Sequence, residues 1–256
     1  MRNAKEGNVT DIARETRVLA AVVSLVDSLL DDFDVVDLLT QLTERCADLL
    51  DVEAAGFLLA DPFGQLRLLA ATSEQARDIE LFELQADEGP CVQSYLTGQP
   101  VSVADVRSDI GQWPRFASTA RDAGFAAVHA VPMRAAGSVL GALGLFGVHP
   151  GALNDSDLLV AQTLTHIACV AIIQEHSPTP TTVLPQLRAA LASRVIIEQA
   201  KGFLRERLDV EVEVAFTLLR AYARSRREHL TDVAAQLMTD GEGRTTILTG
   251  LSEFAL

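Results

Sequence analysis

Apolar positions in this chain recur at two spacings, and the change from one to the other marks out its parts. Residues 11–30 place Ile12, Leu19, Val22, Val23, Val26, Leu29 and Leu30 at heptad-like intervals. Such a helix suits two fates equally, pairing with a second copy of itself or lying on its own domain's sheet. Asp34 is a suitable N-cap for a second helix running through Leu50, with Val35, Leu38, Leu39, Leu42, Cys46 and Leu49 turned inward. The pattern then shortens to strands. Ala54–Ala60 and Leu66–Ala71, separated by Asp61-Pro62-Phe63-Gly64, predict a hairpin. Ser73 starts a helical stretch to about Leu84, Gly89-Pro90 breaks the chain, Cys91–Leu96 is a short helix, and Val101–Val106 is a strand. Ala126–Arg134 and Val139–Val148 predict a second hairpin around Ala135-Ala136-Gly137. Gly141, Gly144 and Gly147 in its last strand suit close approach of a ligand or another backbone, or simple packing. A long helix over Asp155–Glu175 closes this part. The order predicts an α+β domain, helices flanking an antiparallel sheet.

Ser177-Pro178-Thr179-Pro180-Thr181-Thr182 cannot continue a helix and predicts a linker. Helix resumes near Pro185 or Gln186, with Leu187, Leu191 and Val195 as an apolar seam suited to pairing with another subunit. Val195, Ile197, Ala200 and Leu204 then Val212, Ala215, Phe216 and Leu219, separated by a turn at Leu208-Asp209, predict two packed helices. Leu230, Val233, Ala234 and Leu237 suit a third. Two basic stripes lie on them, Arg194/Lys201/Arg205 and Arg220/Arg224/Arg227. After Met238, DGEGRTT reads as a loop and ILTGLSEFAL as an apolar tail able to dock back. The expected division is therefore 1–33 helix, 34–176 α+β domain, 177–185 linker, 186–240 all-α module and 241–256 tail.

Charge sharpens this division. Residues 1–187 hold 11 Lys/Arg against 25 Asp/Glu, whereas 188–244 hold 10 against 9. The front part repels nucleic acid, so a polyanion must be met by the rear, through arrangement rather than total charge. A wholly basic nucleic-acid binder is excluded. No apolar run approaching a membrane span and no signal-peptide segment is read, which predicts a cytoplasmic protein with no membrane partner. Cys46, Cys91 and Cys169 are scattered, fit a reducing compartment, and show no metal-ligand spacing. The five histidines form no ligand pair, and no metal and no cofactor are expected.

Two resemblances follow from these residues. The run R-x-I-I-E-Q-A-K-G-x-L, a turn, A-F-x-x-L-R and a final L-x-D-V-A over about 186–240 resembles the ANTAR family. Arg205 and the glycine-free turn RLDVEVEVAF depart from its usual pattern. G-P-C-x-x-x-Y-x-x-G-Q-P-V-x-V-x-D-V, W-P-x-F, V-P-M and G-x-L-G-x-L-G-L-F over about 34–176 resemble a GAF domain. Together they look like the actinobacterial GAF–ANTAR regulators. That resemblance implies a homodimeric, non-enzymatic sensor whose rear module binds tandem stem-loops in nascent RNA and lets RNA polymerase read through a terminator. It also implies a pocket between one sheet face and the excursion 74–125, which takes a small ligand. Arg194, Lys201, Arg220, Arg224 and Arg227 are then the expected RNA contacts, with Phe216, Leu219, Ala200 and Gly202 shaping the bundle. Tyr222 ranks below the arginines, with packing as its expected role. Cys91, Trp113, Phe116 and Asp105 are the expected pocket residues.

Three rivals stand beside this reading. A helix N-terminus can lower the pKa of a thiol, so Cys91 could serve a redox sensor or a methionine-sulfoxide-reductase-like GAF enzyme. Asp87, Glu88 and Asp105 could act as acid/base groups, though turn and surface roles are commoner. Arg220, Arg224 and Arg227 would equally serve a helix in a DNA major groove. A pure dimerising adaptor would bind protein and no nucleic acid.

Overall fold

The computed structural model describes residues 3–30, 33–108, 112–174, 183–239 and 241–254. The predicted linker, 177–185, lies outside the described residues up to Thr182, and its last three residues, from Val183, belong to a helix instead. Helix α1 (Asn3–Leu30) leads into α2 (Val35–Leu50). Strands β1 (Ala54–Ala60) and β2 (Leu66–Ala71) form the first hairpin. The excursion follows as α3 (Glu74–Ala86), α4 (Pro90–Thr97), the short strand β3 (Val101–Val103) and α5 (Pro114–Asp122). Strands β4 (Ala127–Ala135) and β5 (Ser138–Gly147) precede α6 (Asp155–Gln174). The rear consists of α7 (Val183–Leu208), α8 (Val212–Arg226), α9 (Leu230–Met238) and α10 (Glu242–Phe254).

The five strands form one antiparallel sheet in the order β2-β1-β5-β4-β3. Both faces are covered, so β1 is buried throughout instead of alternating with solvent. Phe57, Leu59, Leu143 and Leu145 point to the side of α2 and α6. Leu58, Ala142 and Phe146, each one residue out of step, point to the side of α3, α4 and α5. Strand β3 stops at Val103, three residues short of expectation, because Asp105 turns the chain: its Oδ1 accepts the Arg107 amide at 2.9 Å.

Helix α2 starts where Asp34 caps it, Oδ1 accepting from the amides of Val36 at 2.9 Å and Asp37 at 3.1 Å. Helix α6 is long and apolar enough to cross a membrane by composition, contrary to the sequence expectation, but half of that window is buried and it packs on β4 and α2. On α1, Ala21 and Leu25 are buried toward the domain. A second apolar stripe, Leu19, Val23, Val26 and Leu30, is left 41–81 % exposed. Its i, i+4, i+7, i+11 spacing is that of a coiled-coil seam.

Helices α7, α8 and α9 pack around Ile197, Ala200, Leu204, Ala215, Leu219, Val233 and Leu237. Gly202 does not shape this bundle. It is exposed, and a Cβ there would meet nothing. The expected DGEGRTT loop is also corrected, since all but its first two residues belong to α10. Glycine is a poor helix former, but Ile247 and Leu251 bury on α8 and α9 and outweigh that cost. Arg244 anchors the first turn by donating to the carbonyls of Leu237 at 2.8 Å and Met238 at 2.9 Å. Gly250 lies against the Tyr222 ring, where a Cβ would come within 2.4 Å of Cε2. Tyr222 is thus a packing residue, closed off by the apolar tail. Gly250→Ala is expected to destabilise the protein by about 1–3 kcal/mol through overpacking, measured as a lower denaturation midpoint.

Candidate nucleic-acid interface

One rear basic stripe faces the acidic side of α2 through Arg220 and Arg224. Arg220 sits mid-way along α8 and reaches across the domain boundary, with Nε 2.5 Å from Asp37 Oδ1 and Nη1 2.6 Å from Glu44 Oε1. One turn on, Arg224 Nη2 lies 3.3 Å from both Asp37 oxygens. Asp37 and Glu44 are two turns apart on α2, which puts them on one face, opposite the apolar side that covers the sheet. Burial works against the Arg220 charge, but Glu44 and Asp37 outweigh it and hold the guanidinium above its ordinary pKa.

The same boundary carries a shared cap. Helix α9 has no side-chain cap of its own from His229. Asp34 supplies one: its Oδ2 accepts from the Thr231 amide at 2.8 Å and from Thr231 Oγ1 at 2.5 Å. One carboxylate therefore serves two helix N-termini, α2 through Oδ1 and α9 through Oδ2, at the positive end of both helix dipoles. Beside it lies a cleft of about 390 Å³, lined in part by Asp34, Asp37, Arg224, Arg227 and His229. Arg227 itself is exposed and left-handed at the end of α8, with φ 57°.

The other stripe is spent in a charge cluster on α7. Glu198 Oε1 is 2.8 Å from Arg194 Nη2 and 3.0 Å from Lys201 Nζ, and Glu198 Oε2 is 3.3 Å from Arg77 Nη1 of α3. Burial pushes the Glu198 carboxyl up, yet Arg194, Lys201 and Arg77 together outweigh it and hold it below its ordinary value. Lys201 is only 8 % exposed. Burial lowers its pKa, and Arg194 adds to this against the opposing pull of Glu198. Half-buried Phe216 lies under both stripes, its ring centroid 5.2 Å from Lys201 Nζ and 5.9 Å from Arg220 Cζ. Of the five residues expected to meet RNA, the structure brings Arg220, Arg224 and Arg227 to one boundary and Arg194 with Lys201 to another. Arg205 stays in solvent. Charge periodicity identified the cations. Glu198 is legible beside Arg194 and Lys201 at helical spacing, whereas Asp37 and Glu44, which meet Arg220 and Arg224, lie well over a hundred residues away on α2, where nothing in the local pattern pairs them.

The four expected pocket residues do not converge. Trp113 and Phe116 pack edge-to-face, 6.4 Å apart, in the apolar cluster with Phe125 and Phe146. Asp105 is at the surface, bound by Arg107, whose hydrogen bond lowers its pKa. Cys91 belongs to a separate cluster with Leu58, Ala130 and Ala142. Its thiol is the opposite of an activated one. Burial raises its pKa well above the ordinary value, and Glu80 and Glu83 raise it further. Asp87 ends α3 in a left-handed conformation, and Glu88 Oε1 accepts from the Phe116 amide at 3.2 Å, so both have structural tasks.

Residues 34–173 match the family model of the GAF domain, and residues 185–238 match that of the ANTAR domain. The chain belongs to the GAF–ANTAR regulators. It is thus a regulatory protein rather than an enzyme, with a sensor domain in front of an RNA-binding antitermination domain. No curated protein matches the chain. Among solved structures, the GAF domain of a phosphoenolpyruvate-protein phosphotransferase from Coxiella burnetii is 15 % identical and covers 60 % of this chain and 91 % of its own, with a TM-score of 0.48. The free methionine-R-sulfoxide reductase of Neisseria meningitidis is 17 % identical, covering 69 % and 91 %, with a TM-score of 0.45.

The Glu198 cluster sets a pH dependence between the GAF and ANTAR domains. A carboxyl whose folded pKa is depressed adds stability above its unfolded value, and that stability is lost as pH falls through the folded one. Acidification below the ordinary carboxylate range is expected to lower the midpoint of unfolding, and Glu198→Gln is expected to flatten that acid limb. The check is denaturation of both proteins across roughly pH 3–7, which spans the ordinary carboxylate range.

Proposed function

We propose that this GAF–ANTAR protein is a cytoplasmic, homodimeric antitermination regulator that alternates between a docked and a released form. In the docked form the acidic face of α2 occupies Arg220 and Arg224, groups proposed to grip phosphates of tandem stem-loops in nascent RNA. The observation that carries this reading is the Arg220–Asp37–Glu44 contact, because an anionic helix and an RNA backbone compete for the same guanidinium. Release frees Arg220 and Arg224 to act beside the already exposed Arg227, while Arg194 and Lys201 keep Glu198 of their own helix as a partner. The input is a small ligand or a partner at the GAF domain, which acts only to the extent that it binds the two forms unequally. RNA held by the released domain cannot fold into a terminator, and RNA polymerase reads on. The exposed heptad stripe Leu19, Val23, Val26 and Leu30 supports the second copy, since pairing two such stripes removes apolar surface from water.

Two substitutions with opposite effects test this in the full-length protein. Asp37→Asn with Glu44→Gln removes the competing charges and leaves every proposed RNA contact intact. It should tighten binding to a tandem stem-loop RNA by about tenfold, the equivalent of about 1.4 kcal/mol of docking. Arg220→Ala loosens docking too, yet it should weaken RNA binding and reduce the salt slope by about one. Titrations against the stem-loop RNA, a scrambled RNA and duplex DNA at two salt concentrations give both answers. Unchanged affinity in the Asp37/Glu44 variant removes the competition, and equal affinity for duplex DNA removes RNA as the ligand.

A further inference from the structure

The inner side of the excursion holds three ionisable groups that the regulatory reading does not use. Glu80 and Glu83 stand one turn apart on α3, and Cys91 opens α4. All three are fully buried, and one oxygen of each carboxylate and the Cys91 sulfur lie within 4.8 Å of one another. Glu83 Oε2 caps α4, accepting from the amides of Cys91 at 2.8 Å and Val92 at 3.3 Å. Glu80 Oε1 is 3.7 Å from Cys91 Sγ. The remaining oxygens, Glu80 Oε2 and Glu83 Oε1, have no hydrogen-bond partner, nor has Ser94 Oγ, one turn beyond Cys91 on α4. An unpartnered buried oxygen costs on the order of 1–3 kcal/mol, more when charged, so each needs an explanation.

The surroundings are shaped to keep these groups together. Gly56 of β1 and Gly144 of β5 are directly paired in the sheet, and both lie beneath Glu80. A Cβ at Gly144 would fall 2.3 Å from Glu80 Oε1 and 3.0 Å from Cys91 Sγ, and one at Gly56 would fall 2.9 Å from Glu80 Oε1. A Cβ at Gly89, whose φ is 140°, would fall 2.4 Å from Glu83 Oε2. Three glycines therefore leave the room that two carboxylates and a thiol occupy in one compartment of the core, where an apolar trio would pack at lower cost.

We propose that Glu80, Glu83 and Cys91 are the ligands of a single divalent transition-metal ion of the zinc class. The donor set decides the class. A thiolate beside carboxylates suits a borderline ion such as Zn²⁺, whereas Mg²⁺ and Ca²⁺ take oxygen alone. Three protein donors leave a tetrahedral ion one further position. Burial pushes both carboxyls and the thiol above their ordinary values, so three uncompensated charges are disfavoured together in this compartment. The ion compensates those charges: the thiol and carboxyl protons leave to solvent as the metal bonds form, and affinity rises with pH. Helix α3 also carries Arg77, one turn before Glu80, which binds Glu198 of the ANTAR domain. Occupancy is thereby placed on the helix that touches the output domain.

Cobalt(II) is the probe, because a cobalt–thiolate bond has its own charge-transfer absorption. The reduced, metal-free full-length protein should bind one Co²⁺ per chain with that band, and Zn²⁺ should abolish it by displacement. Cys91→Ser should lose the band, while the Cys46→Ser/Cys169→Ser double variant should retain it. Glu80→Gln and Glu83→Gln, close in shape to the native residues, should each weaken Co²⁺ affinity tenfold or more. Absence of the band in the wild-type protein, or its survival in Cys91→Ser, overturns the proposal and leaves a proton-sharing carboxyl pair with a purely structural role. The wild-type titration decides between these two outcomes even where a variant fails to fold.

Discussion

The contact between the acidic face of α2 and the basic face of α8 is the constraint on which the arrangement of this protein turns. Helix α2 is two-sided. Its apolar side closes one face of the GAF sheet, and its outer side presents Asp34, Asp37 and Glu44 to the ANTAR domain. A single helix therefore belongs to the core of the sensor and to the surface that binds the output. Any change that shifts α2 on the sheet is felt by Arg220, Arg224 and Thr231. The distances favour charge-assisted bonds, yet Glu44 and Arg224 remain about half exposed. Bonds of that kind hold a position without locking it, since water and salt compete with them. A boundary made this way suits a switch better than an apolar interface would.

A second link runs through α3. Its outer face offers Arg77 to the Glu198 cluster, and its inner face holds Glu80 and Glu83 against Cys91. Arg77 and Glu80 are one helical turn apart, so the buried ionisable compartment and the domain boundary share one short rigid element. Space for the compartment comes from the paired glycines of β1 and β5, where the loss of side chains in the sheet is matched by charged side chains from the helix above.

Particular residues show how far local pattern reaches. The capping of α2 by Asp34 and of α3 by Ser73 was legible, because a cap acts within three residues of itself. The turn at Asp209 and the two hairpins were legible for the same reason, and periodicity picked out Ala215 and Leu219 among the buried positions of α8. The DGEGRTT segment misled because its glycines and polar residues argue locally for a loop, whereas helix α10 is held by Ile247 and Leu251 against residues far back in the chain. Cys91 shows the same limit: its packing role was the favoured reading, but the two carboxylates that raise its pKa arrive from α3 through the fold.

The sequence by itself determined the two domains, their order and most of the helices and strands, since spacing, capping and turn chemistry are short-range. Only the tertiary structure decided what Arg220 and Arg224 meet. Coulombic attraction and burial depend on distance in space, and Arg220 lies 183 residues from Asp37 along the chain but 2.5 Å from it in the fold. The same holds for Glu80, Glu83 and Cys91, ordinary as letters, which become a site only when the sheet beneath them excludes water.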